Sequence, residues 1–400
     1  MSSIIKNSVD ELASYDAGQR LRVSELTTLI DLKHLHDKQP DFIDEVLNGA
    51  ATSVHSTTEA RVRMSVSSNG DYAIRQTFMR FNYQSGKSQF ILNTFDNFQP
   101  TTDVTKRIGY FNSSSTAPYT AGFDGIFLES DGTTVRLKVV KTGTEVFNVA
   151  QADWDDPLDG TGSSGAVVDW ENSQVAAFDF LWLGVDKIRF YLELNGNLTL
   201  IHTCQVANEL VGVYMSSPNH SIRYEIRSTG GADHIDQICS SVNVEGARNR
   251  GGKLKAFNNN QTAISLPSPL SLYAVIGTRL KTTHLDVSVD LLVFSLLGTS
   301  ADNFLWELRR NPTVAGTFTF NDQTNSGVQI AVGTSANTVT GGDVIDSGYI
   351  AQRVANRDPI ENALRLGSAI DGTRDEFVLC VRPITNNLSL LPSYTRREEL

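Results

Sequence analysis

Lys187-Ile188-Arg189-Phe190-Tyr191-Leu192-Glu193-Leu194-Asn195-Gly196 decides the fold class. Successive side chains of an extended chain alternate between faces, so Ile188, Phe190, Leu192 and Leu194 share one side and Lys187, Arg189 and Glu193 the other. Asn195-Gly196 then supplies the two residues that tolerate the positive φ of a tight hairpin. The same period of two recurs in Ser221-Ile222-Arg223-Tyr224-Glu225-Ile226-Arg227, in Thr134-Val135-Arg136-Leu137-Lys138-Val139 and in Arg61-Val62-Arg63-Met64-Ser65-Val66. Each of these strands has one dry edge, and a second sheet packed face to face is the simplest way to cover it.

Working outward from this region, the chain divides into four parts. Residues 1–58 have the least strand character: Ser8-Val9-Asp10-Glu11 reads as a helix cap, and Asp41 as the start of another short helix through Leu47. An irregular, partly helical N-terminal arm is expected there. Residues 59–245 hold the alternating strands and form a first antiparallel β-sandwich of jelly-roll type. Residues 246–269 contain Gly251-Gly252, Asn258-Asn259-Asn260 and Pro267-Ser268-Pro269, which resist regular structure and mark a linker. In residues 270–400 strands resume at Leu270–Ile276, His284–Leu297, Phe304–Arg309, Thr317–Phe320, Val328–Val332 and Glu376–Val381, which predicts a second sandwich.

Composition agrees with this mainly β reading. At 400 residues the chain exceeds what one core usually serves. A formal net charge of −11 argues against broad nucleic-acid binding, which needs clustered Lys and Arg to neutralise phosphate. Arg248-Asn249-Arg250 with Lys253 and Lys255 is a local basic spot among Gly and Asn, read as a solvated linker. No apolar run reaches membrane-spanning length, and Met1-Ser2-Ser3-Ile4-Ile5-Lys6 lacks the apolar core of a signal peptide. Synthesis in a cytoplasm is the expectation. Cys204, Cys239 and Cys380 are odd in number and match no ligand spacing, so small buried hydrophobes are expected at Cys204 and Cys380.

The first half also carries an ordered set of motifs. Asp16-Ala17-Gly18-Gln19-Arg20-Leu21-Arg22-Val23-Ser24, Phe81-Asn82-Tyr83-Gln84-Ser85-Gly86-Lys87-Ser88-Gln89, Lys106-Arg107-Ile108-Gly109-Tyr110-Phe111 and Asp124-Gly125-Ile126-Phe127-Leu128-Glu129 are followed by Trp154, Leu158-Asp159-Gly160 and Trp182-Leu183-Gly184-Val185. In this order they resemble a family of virion structural proteins of tailed bacteriophages, large and marine phages among them, over roughly residues 14–227. The resemblance implies a place in the particle, assembly made in the host bacterial cytoplasm, other virion proteins as partners and a homotrimer. It carries no functional residues.

Enzyme-like motifs fail on context. Gly160-Thr161-Gly162-Ser163-Ser164-Gly165 satisfies the dinucleotide pattern, but that pattern needs a strand before it and a helix after it, and neither is predicted here. Gly86-Lys87-Ser88 lacks the first glycine of a phosphate loop and reads as a hairpin turn. Asp153, Asp155, Asp156 and Asp159 are spaced closely enough to wrap Ca²⁺ with oxygen ligands, or simply to solvate a turn. His34 and His36 would share one face of a strand and seed a metal site, or else play a structural part. Trp154 and Trp170 flank the Gly-rich loop and Tyr119 lies in another; as loop aromatics they are candidate contacts for glycan or a partner, against the plainer reading that they finish the core. Trp182 and Trp306 read as core.

The sequence therefore predicts a non-enzymatic structural protein of a tailed-phage virion. It would act by symmetric protein–protein association at an exposed position such as a fibre, spike, decoration or tail-baseplate component. The alternatives are a receptor-binding module for host surface glycan and a polysaccharide depolymerase.

Overall fold

The computed structural model describes residues 25–113, 124–182, 186–246, 251–300, 302–351 and 355–399, with the backbone alone over 355–364. The chain forms two compact units, residues 1–249 and 250–400. In the first, the strands are β1 (Leu26–Lys33), β2 (Ile43–Asn48), β3 (Thr52–Ser56), β4 (Arg61–Val66), β5 (Tyr72–Thr77), β6 (Gln89–Asp96), β7 (Val104–Asn112), β8 (Asp124–Ser130), β9 (Val135–Lys141), β10 (Thr144–Ala150), β11 (Gln174–Phe180), β12 (Lys187–Leu194), β13 (Asn197–Gln205), β14 (Ile222–Ser228) and β15 (Asp233–Glu245). One sheet runs β13-β12-β11-β6-β15-β4-β3, with β1 also on β15; the other runs β10-β9-β8-β7-β14-β5-β2. Both are antiparallel, and their inward faces share a single core.

The deciding stretch is β12. Leu194 pairs with Asn197 across Asn195 and Gly196, whose φ values of 54° and 81° are those of the two-residue hairpin. Ile188, Phe190 and Leu192 are buried in the core, and Phe190 meets Phe178 of β11 edge to face at 5.5 Å. Each such side chain contributes about 1.5–3 kcal/mol by leaving water, and the ring pair roughly another 0.5–1.5 kcal/mol.

In the second unit the strands are β16 (Lys253–Asn258), β17 (Ile264–Leu266), β18 (Tyr273–Leu280), β19 (Ser288–Gly298), β20 (Phe304–Arg310), β21 (Thr313–Val314), β22 (Asn321–Asp322), β23 (Val328–Val332), β24 (Val339–Thr340), β25 (Asp343–Ile350), β26 (Ala355–Arg365), β27 (Phe377–Pro383) and β28 (Leu388–Glu399). A sheet ordered β16-β28-β19-β26, with β17 also on β28, packs on one ordered β22-β23-β18-β27-β20-β25; β21 and β24 form a ribbon. Phe294, Leu296, Leu388 and Tyr394 from one layer and Ile276, Trp306, Leu308 and Leu379 from the other fill its core.

Two boundaries differ from the sequence expectation. The N-terminal arm of residues 1–58 is not helical where it is described: β1, β2 and β3 are ordinary strands of the first sandwich, and Ser8–Glu11 lies outside the described residues. The segment after Asp41 becomes β2 because Glu45 pairs with Arg75 of β5 and its carboxylate takes that guanidinium; a long-range partner outweighs a local cap signal. Likewise the linker of residues 246–269 contains β16, an exposed edge strand that tolerates Asn and Lys, and β17, whose Ile264 and Leu266 are buried in the second core. Thr317–Phe320 is not a strand either. Gly277 leaves room above β18 into which Phe318 leans, since a Cβ there would meet its ring at 2.6 Å. Among the described residues, the one helical turn assigned is Gln151–Asp153.

Candidate functional site

A groove of about 540 Å³ lies on the second unit. Its origin lies in β28. β16 pairs with Ser393–Glu398 and β17 with Leu388–Leu390, so both run along the same side of that strand, and Leu391 and Pro392 fall between the two registers. Proline has no N–H to give to a ladder, so the edge strand leaves here and loops out from Asn259 to Ala263 before returning. Asn260 and Gln261 take left-handed φ values of 45° and 61° in that loop.

The loop is held by its own bonds. The Asn260 N–H donates to Asn258 Oδ1 at 3.0 Å, Asn259 Nδ2 donates to the Thr262 carbonyl at 2.8 Å, and the Thr262 N–H donates to the Asn259 carbonyl at 2.8 Å. The carboxamides of Asn260 and Gln261, both exposed, make no hydrogen bond to a described residue. They line the groove together with Ser295 and Leu297 of β19 and Leu391, Ser393 and the buried Pro392 of β28. Neutral donors and acceptors above an apolar strip can hold a polyhydroxylated molecule.

The sites expected from sequence are distributed differently. Trp154 and Trp170 are 4% and 7% exposed and pack edge to face at 6.3 Å over the first core. Their indole N–H groups are already used, by the Val149 carbonyl at 3.1 Å and by Gln151 Oε1 at 2.9 Å. The plainer reading is the observed one, and neither ring forms a contact surface. Tyr119 lies outside the described residues.

The aspartates of the acid loop point to different partners. Asp155 accepts from the Thr203 N–H at 2.9 Å, and Asp159 from the Thr161 N–H at 2.8 Å. Asp156 is buried and accepts from the Ser164 and Leu158 amides at 2.7 and 3.2 Å. Burial opposes its charge, but these amides and the Ser164 and Ser163 hydroxyls hold its pKa below the ordinary value. Asp153 closes the short helical turn. Among the described residues no three His, Cys, Asp or Glu converge on a metal position. Asp156 also explains a glycine of the dinucleotide-like motif: a Cβ on Gly162 would stand 2.0 Å from its carboxylate. Gly86-Lys87-Ser88 is a turn between β5 and β6, which belong to different sheets, so it is an inter-sheet crossing rather than a hairpin.

His34 belongs to a buried polar cluster between the two sheets, while His36 is exposed. His34 Nδ1 lies 2.8 Å from the Ile238 carbonyl, and Nε2 faces Arg75 Nη2 at 3.4 Å. Arginine can only donate, so the imidazole is neutral with its proton on Nδ1. Burial, aided by Arg75 and His55, lowers its pKa to about 4. Arg75 also donates to Gln237 Oε1 at 2.8 Å and bonds to Glu45, and Glu45 accepts from Lys38 at 2.8 Å and Ser53 at 2.6 Å. These groups satisfy one another and are structural. Cys204 and Cys380 are buried free thiols, and burial raises the pKa of both.

No protein-family model and no curated protein sequence matches the chain. Among solved structures it is similar to the Emp47p carbohydrate recognition domain, at 10% identity over 56% of this chain and 98% of that one, with a TM-score of 0.35. It is also similar to the VIP36 exoplasmic/lumenal domain in its Ca²⁺/Man3GlcNAc-bound form, at 10% identity over 55% and 89%, TM-score 0.35. A legume lectin-like domain from Entamoeba histolytica matches at 8% identity over 56% and 100%, TM-score 0.33. No residue role passes from these proteins to this one.

Proposed function

We propose that the chain is a non-enzymatic recognition protein of a tailed-phage particle, in which the second unit holds glycan of the host surface. The observation that carries the reading is the groove lined by the exposed carboxamides of Asn260 and Gln261 together with Leu297 and Leu391. Sugars present hydroxyl edges and C–H faces, and this surface offers a partner to each. The order of motifs over residues 14–227 supports the virion setting, with other virion proteins as neighbours and the host cytoplasm as the place of synthesis. The test is adsorption of the purified protein to host cells before and after periodate oxidation of their surface sugars. Undiminished adsorption to oxidised cells refutes the reading, and release of reducing sugar by the protein would reassign it to depolymerases.

A second reading, a scaffold acting by symmetric association, is favoured by β25. Val344, Ile345 and Tyr349 are exposed on this edge strand, Tyr349 at 73%. Contact with a further copy would cover them, and a homotrimer is the proposed assembly. Sedimentation equilibrium decides it: a monomer at micromolar concentration, with Tyr349→Ser unchanged, removes the support.

A further inference from the structure

The break in the edge strand of the second unit does more than open a groove: it chooses which side chains face the ligand. We infer that Asn260 and Gln261 are the specificity-determining residues of this groove, and that its ligand class is an uncharged pyranose; the inference rests on the glycan reading above. The two residues follow one another in the left-handed region, at φ 45° and 61°, so the chain turns sharply and both side chains remain exposed. Three hydrogen bonds inside Asn258–Thr262 hold the turn before any ligand arrives. Ordering this wall on binding therefore adds little cost.

The chemistry of the wall selects the ligand. A carboxamide carries an acceptor and a donor in one plane, which matches two neighbouring hydroxyls, each able to give and take a hydrogen bond. Beside it, Leu297 and Leu391, which are not fully buried, suit the C–H face of a sugar ring. A uronate or sialic acid would bring a carboxylate, whose strong partners are Arg and Lys. The described lining residues are all neutral. An acidic sugar would lose its hydration there without gaining an ion pair.

Titration calorimetry of the full chain tests this with three probes: oligosaccharides of dextran and of mannan, which are uncharged, and of alginate, a polyuronate. The expectation is binding to at least one neutral probe and not to alginate. Asn260→Gly combined with Gln261→Gly, which removes both carboxamides and accepts the left-handed φ values, should weaken neutral binding about tenfold or more, as the loss of several hydrogen bonds implies, with little change in melting temperature. Asn260→Lys should gain affinity for alginate. Neutral binding that survives the double substitution overturns the assignment of these two residues while leaving the glycan reading standing. Wild-type binding to alginate at equal or higher affinity overturns the ligand class. Silence toward all three probes sinks the glycan reading itself.

Discussion

Acidification should weaken the first sandwich through His34, and the size of the effect follows from its surroundings. The imidazole is 1% exposed, donates from Nδ1 to the Ile238 carbonyl and faces the Arg75 guanidinium with Nε2. A proton on Nε2 would point at a cation in a dry interior. Burial is the larger cause of the lowered pKa, with Arg75 and His55 adding to it and Asp37 and the Ile238 carbonyl opposing. The folded pKa lies near 4 against 6.5 for a free histidine. Above pH 6.5 both states are neutral here and the site adds no pH dependence. As pH falls from 6.5 towards 4 the unfolded chain takes up the proton first, so stability is lost across that window and then levels off. At 1.36 kcal/mol per unit the loss amounts to about 3 kcal/mol. His34→Asn keeps an amide donor for the Ile238 carbonyl and removes the titration. The assay is urea unfolding at pH 7, 6, 5 and 4 of the Trp306→Phe protein, whose remaining tryptophans, Trp154, Trp170 and Trp182, all lie in the first unit. With and without His34→Asn, groups common to both proteins, including Glu45, cancel in the difference. A wild-type advantage that shrinks by about 3 kcal/mol between pH 7 and 4 is the expected result. A difference that stays level within about 1 kcal/mol would refute the claim that the fold holds this histidine neutral.

Three further expectations are simpler. Phe178→Ala removes the ring against Phe190 at the centre of the first core and should cost about 3–5 kcal/mol in chemical unfolding; a loss under 1 kcal/mol would contradict the packing described. Trp154→Ala should destabilise the first unit by a similar ~3 kcal/mol while leaving glycan affinity unchanged, since the ring is a roof over the core; a selective loss of binding would return it to the surface. Chelation with EDTA should leave the melting temperature of the first unit where it was, because Asp155, Asp156 and Asp159 are engaged by amides, and a drop of several degrees would restore the acid loop as a Ca²⁺ site.

Strand character was legible wherever alternation was long, and function was hardest to read where one side chain had two uses. β12, β4, β9 and β14 lie where their period of two put them, since burying alternate residues needs no knowledge of the partner. Trp154 looked equally suited to core and to ligand, and only the coordinates of Trp170 and the Val149 carbonyl assign it to the core. Asn258-Asn259-Asn260 was read as a run that resists regular structure, within a linker. The signal that would have found the groove is Pro392 inside an otherwise alternating strand. Its meaning depends on β16 and β17 flanking it, more than a hundred positions away in the chain.

Alternation and turn chemistry, which are properties of neighbouring residues, by themselves determined that this is a β protein, but not that the charged faces of β12 and β14, with Arg189, Arg223 and Glu225, would be buried as well. Which strands meet was decided by the tertiary structure alone, because a ladder hydrogen bond is indifferent to side-chain identity and register is set by what each face must cover. That is why Glu45 became part of a sheet through Arg75, and why a single proline in β28 made an edge strand part and left a groove beside it.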